Sequence, residues 1–254
     1  MNINTTILSN GIAIAHHHNF ENKPTIIFLH DSLGCIQTWR NFPQLLADKT
    51  QCNYLIYDRI GYGKSQPMTT HIRPKNYLEI EADKLNDLLT ELKLDNVILF
   101  GHSDGGSIAL LAASKYPQKI KALIIEAAHI FVEEVTLKGI YDALELYNTT
   151  NLPQRLEKYH GDKVETLVKA WTETWTRADY QDWNVEYMMP NIIAPLLFIQ
   201  GEHDEYGTLA QVEKTVNNVS GKSEAFIIPN IGHTPHKECP EIVLEKVVDF
   251  LSKI

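Results

Sequence analysis

The segment "ILFGHSDGGSIALLAA", residues 98–113, decides the fold because it joins two kinds of structure at one corner. Its first residues form an apolar run that is typical of a buried strand, and its last residues are small and apolar with a helical pattern. Between them lies Ser103 in the pattern Gly-x-Ser-x-Gly, and Asp104 follows it directly. In this context the pattern predicts a sharp strand-to-helix turn that exposes the serine hydroxyl as a nucleophile.

Outside this segment, the chain alternates between strand-like and helical patterns. The strand-like runs are nearly continuous in Val, Ile, Leu and Phe, which favours strands of a parallel sheet covered by helices on both faces. We predict them at residues 25–31, 53–61, 96–103, 122–129, 195–204 and 224–233. The alternation predicts an α/β fold with an open, mostly parallel central sheet flanked by helices. The Asn-Gly pair within "NTTILSNGIAIAHH" predicts an opening hairpin.

One region, residues 130–190, interrupts this alternation with helical, strongly aromatic patterns and no clear strand. We interpret it as a helical cap (lid) inserted into a core that residues 1–129 and 191–254 form. Three of the four tryptophans lie in it: Trp171, Trp175 and Trp183. Trp171 and Trp175 are four residues apart on one helical face, so they either line a substrate pocket or pack into the core.

Two further residues are candidates to act with Ser103. Asp204 lies just beyond one predicted strand and His233 just beyond the next. Because the carboxyl ends of parallel strands share one edge of the sheet, we expect both side chains on the edge where Ser103 lies. A serine hydroxyl is a poor nucleophile at neutral pH and needs an adjacent base that a carboxylate orients. His233 and Asp204 are suited to these two roles.

The order of these segments resembles that of the α/β-hydrolase fold family over essentially the whole chain. "FLHDSLG" is similar to the family's oxyanion strand, "YDRIGYGKS" to its Asp-x-x-Gly-x-Gly-x-Ser segment, and "GHTPHKECPE" to its histidine loop. The resemblance implies a catalytic triad with Ser103 as nucleophile, His233 as general base and then acid, and Asp204 as its orienter. It implies no cofactor.

The resemblance also implies an oxyanion hole formed by the backbone amides of Ser32 and Asp104. Asp31 stands where the family usually has glycine, so the chain departs from the family pattern beside Ser32. "GHSDGGSIALLAASKYP" is similar to the nucleophile segment of the valacyclovir-hydrolase branch, where the acid after the nucleophile holds the α-amino group of an amino-acid ester. The same residue also has a structural role open to it, because a carboxylate in the first turn of a helix is stabilised by free amides and by the helix dipole.

The expected activity is that of a serine esterase that cleaves small carboxylic esters through an acyl-enzyme, with α-amino-acid esters as one candidate substrate class. Two alternatives remain open. The same fold serves C–C bond hydrolases and lactonases that act on dienoate or enol-lactone substrates, and some of its members are non-enzymatic ligand receptors that keep the triad. Fold analogy does not choose among them.

Composition excludes several other classes of function. The net charge of −9 argues against nucleic-acid binding, and no apolar stretch is long enough for a membrane helix. Three widely spaced cysteines indicate reduced thiols, and the start of the chain lacks a signal-peptide pattern, so we expect a cytoplasmic protein. The oligomeric state, monomer or homodimer, stays open.

We predict no metal site. The histidine run at residues 16–18 fits a solvated turn, and His233, His236 and Glu238 form no complete ligand set.

Overall fold

A computed structural model describes residues 4–254, and within them eight strands form a single sheet. The strands are β1 Thr6–Ile7, β2 Ala13–His17, β3 Thr25–Leu29, β4 Asn53–Asp58, β5 Val97–His102, β6 Ile120–Glu126, β7 Leu196–Gly201 and β8 Ser223–Ile228. Their order across the sheet is β1-β2-β4-β3-β5-β6-β7-β8. β1 and β2 are antiparallel to their neighbours, and all pairs from β4 to β8 are parallel.

The helices lie between the strands along the chain. They are α1 Phe42–Thr50, α2 Tyr77–Glu91, α3 Asp104–Lys115, α4 Glu134–Thr149, α5 Leu152–His160, α6 Val164–Thr176, α7 Leu209–Asn218, α8 Pro235–Glu238 and α9 Pro240–Leu251. Shorter 3₁₀ turns connect several of them. None of the helices in residues 4–254 is long and apolar enough to cross a membrane.

Both faces of the sheet are buried, which accounts for the continuous apolar runs. Along β3, Ile27 and Leu29 contribute to one core, whereas Ile26 and Phe28 contribute to the other. The first core includes residues of α2, α3 and α6, and the second includes residues of α1 and α9. A strand with apolar side chains on both faces needs helices on both sides, and this requirement produces the layered arrangement.

The predicted α/β fold class is confirmed, and each predicted core strand is present. The predicted strand ends were too long at several places; the second predicted core strand, for example, ends at Asp58 rather than residue 61. There the chain leaves the sheet for a turn in which Gly61 has a φ of +93°. The opening hairpin is also present, but β1 is only two residues long.

Between β6 and β7, within residues 130–190, the structure contains helices α4, α5 and α6 and no named strand. The only pairing assigned in this described segment is an isolated antiparallel bridge between Phe131 and Asn184. Trp175 and Trp183 are buried in the same apolar core as α2 and α3. Part of this segment is therefore packed into the same core as α2 and α3.

Candidate active site

Ser103 occupies the turn between β5 and α3 in an uncommon backbone conformation. Its φ of 55° is positive, which costs free energy for a residue with a side chain and persists only where the surroundings enforce it. The Ser103 amide donates to the carbonyl of Glu126 at 2.9 Å. A Cβ atom at Gly105 would lie 2.1 Å from the carbonyl oxygen of Leu29, so only glycine permits α3 to approach β3 this closely.

The side chains of Ser103, His233 and Asp204 form a continuous hydrogen-bonded chain. His233 Nε2 lies 3.0 Å from Ser103 Oγ, and His233 Nδ1 lies 2.8 Å from Asp204 Oδ1. Asp204 is held in turn by the amide of Tyr206 at 2.8 Å and by Gln200 Nε2 at 2.9 Å. The three residues come from the loops after β5, β7 and β8, and the parallel sheet brings these loops to one edge.

The charges around this chain favour a protonated His233. Burial by itself lowers the pKa of its imidazole, but the Asp204 carboxylate, through its charge and its hydrogen bond, raises that pKa above the ordinary value. The carboxylates of Glu205 and Asp31 raise it further. Burial would raise the pKa of Asp204, yet His233 holds it below the ordinary value, so Asp204 is ionised at neutral pH.

The backbone amides of Ser32 and Asp104 have no hydrogen-bond acceptor within the described part of the chain. Both residues line the same cavity as Ser103. Arg59 Nη2 donates to the carbonyl of Asp31 at 2.8 Å and holds the segment that carries Ser32. Asp31 does not have a positive φ, so an aspartate in place of the family's usual glycine imposes no left-handed strain there.

A cavity of about 190 Å³ lies above Ser103. Its walls include Ser103, Asp104, His233, Ile140 of α4, and Trp171 and Trp175 of α6. Both tryptophans also belong to the apolar core. Trp175 Nε1 donates to Tyr77 Oη at 2.9 Å, and its ring lies 5.4 Å from that of His129. Each tryptophan therefore packs in the core and lines the cavity at the same time.

The Asp104 side chain is buried, and its carboxylate has two partners on one oxygen. Tyr77 Oη donates to Oδ2 at 3.2 Å, and Arg59 Nη1 lies 3.7 Å from the same oxygen. No hydrogen bond within residues 4–254 is assigned to Asp104 Oδ1. Asp104 is one of the residues that line the cavity above Ser103.

His233, His236 and Glu238, whose spacing drew attention in the sequence, each have different side-chain partners in the structure. Glu238 accepts hydrogen bonds from the amides of Gly232 and Thr234. His236 instead pairs with Glu126, a residue that motif analysis missed because it lies 110 positions away in the chain. The spacing of His236 from His233 drew attention to His236, but no local pattern in the sequence indicated Glu126 as its partner.

Comparison with known proteins places these features in a family context. A family model described as the α/β-hydrolase fold matches residues 24–180. The human protein named serine hydrolase BPHL is 28% identical over 95% of this chain and 84% of its own length. A Mycoplasma genitalium protein named as a candidate esterase/lipase is 28% identical over 91% of this chain and 90% of its own length.

The same likeness extends to solved structures. The crystal structure of a candidate lipase from Acinetobacter baumannii superimposes with a TM-score of 0.82 at 21% identity, over 98% of this chain and 91% of that one. At this level of identity the likeness concerns the fold.

Proposed function

Because the chain belongs to the α/β-hydrolase fold family and is a hydrolase of the ester-cleaving type, we propose that it cleaves small carboxylic esters through an acyl-enzyme on Ser103. The observation that carries this proposal is the hydrogen-bonded chain from Ser103 through His233 to Asp204. This arrangement is the one that makes a serine hydroxyl nucleophilic at neutral pH.

The reaction follows from this geometry in two steps. His233 Nε2 accepts the hydroxyl proton as Ser103 Oγ attacks the ester carbonyl, and Asp204 stabilises the imidazolium that forms. The imidazolium then gives its proton to the leaving alcohol, and an acyl-enzyme remains. Water, deprotonated by the same imidazole, releases the acid and restores Ser103.

The free amides of Ser32 and Asp104 supply the oxyanion hole in this proposal. Amides without acceptors near the nucleophile are suited to negative charge that develops on the carbonyl oxygen. A single donor of this kind contributes roughly 3 kcal/mol of transition-state stabilisation in serine hydrolases. A positive Ser103 φ and the close approach of α3 to β3 hold the Asp104 amide in place.

In the same proposal, residues 130–190 act as a cap on a core formed by residues 1–129 and 191–254. The contributions of Ile140, Trp171 and Trp175 to the cavity wall support this division. A cavity of about 190 Å³ with two indole rings in its wall favours a compact, partly apolar substrate.

The finer proposal concerns α-amino-acid esters. Asp104 lines the cavity beside Ser103, and its carboxylate Oδ1 has no assigned partner within residues 4–254. In this proposal, that oxygen accepts a hydrogen bond from the ammonium group of the substrate. Arg59 contacts the other oxygen and partly offsets the negative charge, so we expect a preference for cationic esters rather than an absolute requirement.

The test compares wild type with Ser103→Ala, first with a fluorophosphonate probe and then on short-chain, aryl and α-amino-acid esters. We expect labelling and turnover in wild type and a loss of turnover of at least about 1,000-fold in the variant, since the nucleophile is removed.

Wild-type protein that turns over none of the esters in this panel would contradict the proposal. Activity on an enol-lactone or a dienoate ring-fission product would then favour a lactonase or C–C hydrolase. Single-turnover labelling with tight ligand retention would favour a receptor.

A further inference from the structure

Three buried side chains form a cluster behind the loop that carries His233 (residues 231–236, called the histidine loop). They are His102 at the end of β5, Glu126 at the end of β6 and His236 in α8, and they are 1%, 0% and 4% exposed. None of them lines the cavity above Ser103. The proposed reaction therefore gives them no direct contact with substrate, although burying ionisable groups is costly unless they are paired.

Glu126 binds the far end of the histidine loop through both carboxylate oxygens. Its Oε1 accepts the backbone amide of His236 at 2.6 Å, and its Oε2 accepts His236 Nδ1–H at 2.5 Å. Burial would raise the pKa of Glu126, but the charge and hydrogen bonds of His236 lower it below the ordinary value. The carboxylate therefore stays ionised and keeps its two bonds at neutral pH.

His102 binds the loop at His233 itself. Its Nε2 lies 2.8 Å from the carbonyl oxygen of His233. Burial lowers the pKa of His102 to about 3, so the ring is neutral, and its single proton must be on Nε2 because a carbonyl only accepts. The His102 ring also lies 5.1 Å from the His233 ring and 5.0 Å from the His236 ring.

The nitrogen and oxygen atoms of this cluster lie within 4.8 Å of one another, a spacing that a divalent metal could use. Their hydrogen bonds indicate a different role. Both oxygens of Glu126 already accept from His236, and His102 Nε2 faces a carbonyl. Charged groups also lie near the cluster. Asp31 Oδ2 is 3.8 Å from His102 Nδ1, and Lys237 lowers the pKa of Asp31. The His233 imidazole, whose protonation Asp204 favours, lies beside His102.

We infer that Glu126 is a positioning residue for the reaction. It acts through His236 and, together with the separate bond from His102 to the His233 carbonyl, holds His233 Nε2 at hydrogen-bond distance from Ser103. This inference rests on the proposed function, since it gives a role to residues behind the proposed general base. Ends of β5 and β6, which are fixed by the central sheet, thereby set the position of a loop that follows β8.

The first experiment is Glu126→Gln. Glutamine keeps the shape, but it is neutral and presents an NH2 donor in place of one of the two oxygens that accept the N–H groups of His236. We expect kcat to fall about tenfold or more with KM within twofold, because a displacement of catalytic groups by about 1 Å can cost about 100-fold while substrate contacts stay intact. Glu224→Gln is the matched control, since it breaks the remote ion pair with Lys246 and should leave kcat unchanged.

A second pair of variants keeps the inference testable if Glu126→Gln does not fold. In His236→Asn the amide N–H can replace Nδ1–H, so kcat should stay within about threefold of wild type. His236→Phe keeps the ring against Trp39 and Phe42 but removes the donor, so kcat should fall as in Glu126→Gln. The double variant Glu126→Gln/His236→Phe should lose no more than the worse single variant, as expected for residues that act as one unit. Wild-type kcat in Glu126→Gln or in His236→Phe, or additive losses in the double variant, would overturn the inference.

A readout that does not depend on turnover separates this inference from the proposed function. Amide hydrogen exchange of His233 and Thr234 should be faster in Glu126→Gln than in wild type and unchanged in Glu224→Gln. Faster exchange with no Ser103-dependent ester turnover would leave the loop-holding role intact and reject the esterase. Unchanged exchange, or loss of wild-type activity on treatment with a chelator, would reject the positioning role.

Discussion

At the scale of single residues, the proposed chemistry depends on the charge state of His233, and the neighbours of His233 set that state. Asp204 could be predicted from the sequence as the partner of His233, because it follows a strand at the expected place. Glu205 and Asp31 also raise the pKa of His233, but the sequence did not predict this. An electrostatic contribution depends on distance and burial, and no sequence motif records either of them. The pKa of His233 is above its ordinary value as a result.

This raised pKa has a consequence for the pH dependence of the reaction. In the proposed mechanism His233 is the general base and must be neutral to act, so kcat/KM should rise with pH through the pKa of His233, with a midpoint above the ordinary imidazole value of about 6.5. Glu205→Gln removes a negative charge that favours the imidazolium, so its acidic limb should move to lower pH. Glu202→Gln, an exposed change three residues away, is the control and should leave the profile in place. The same midpoint in wild type and Glu205→Gln would contradict this account.

A second residue-scale prediction concerns Asp104. Asp104→Asn keeps the backbone amide that we propose for the oxyanion hole and the shape of the side chain, but it removes the charge. A hydrogen bond to a charged group is worth about 1.5–3 kcal/mol, so kcat/KM for α-amino esters should fall about tenfold to 100-fold. Uncharged analogues should change less than about threefold. An unchanged ratio of the two substrate classes would show that Asp104 does not select a cation.

At the scale of elements, the site depends on how closely α3 approaches the sheet. The strand-to-helix turn was predictable because the glycines, the serine and the change of hydrophobic pattern are adjacent in the sequence. The partner that requires Gly105, the backbone of β3, lies some 76 residues earlier and is visible only in the folded chain. The same is true of Glu126, whose role depends on the loop after β8.

Gly105→Ala tests this close approach. The added Cβ would lie 2.1 Å from the Leu29 carbonyl oxygen, and backbone atoms cannot move aside as a flexible side chain can. We expect a loss of about 1–3 kcal/mol in the free energy of unfolding, measured by chemical denaturation. Gly207→Ala is a milder control, because its nearest neighbour is a side-chain atom at 3.2 Å. Equal stability of the two variants would mean that α3 can move away from β3 at little cost.

At the scale of the whole molecule, the parallel order of β3 to β8 is what assembles the site. The loops after β3, β5, β7 and β8 carry Ser32, Ser103, Asp204 and His233, and they all leave the sheet at the same edge. Helices from residues 130–190 close the space above that edge and leave a cavity of about 190 Å³. Neither the sheet nor the helices alone would define this volume.

The sequence by itself determined the α/β architecture, the turn at Ser103 and the identity of its two partners. These depend on local periodicity, on turn residues and on the rule that parallel strands share one carboxyl edge. Only the tertiary structure decided that Arg59 and Tyr77 meet Asp104, that Trp171 and Trp175 serve both core and cavity, and that Glu126 holds the histidine loop. The physical reason is that side-chain pairing between distant segments is set by packing in three dimensions, which leaves no periodic signal along the chain.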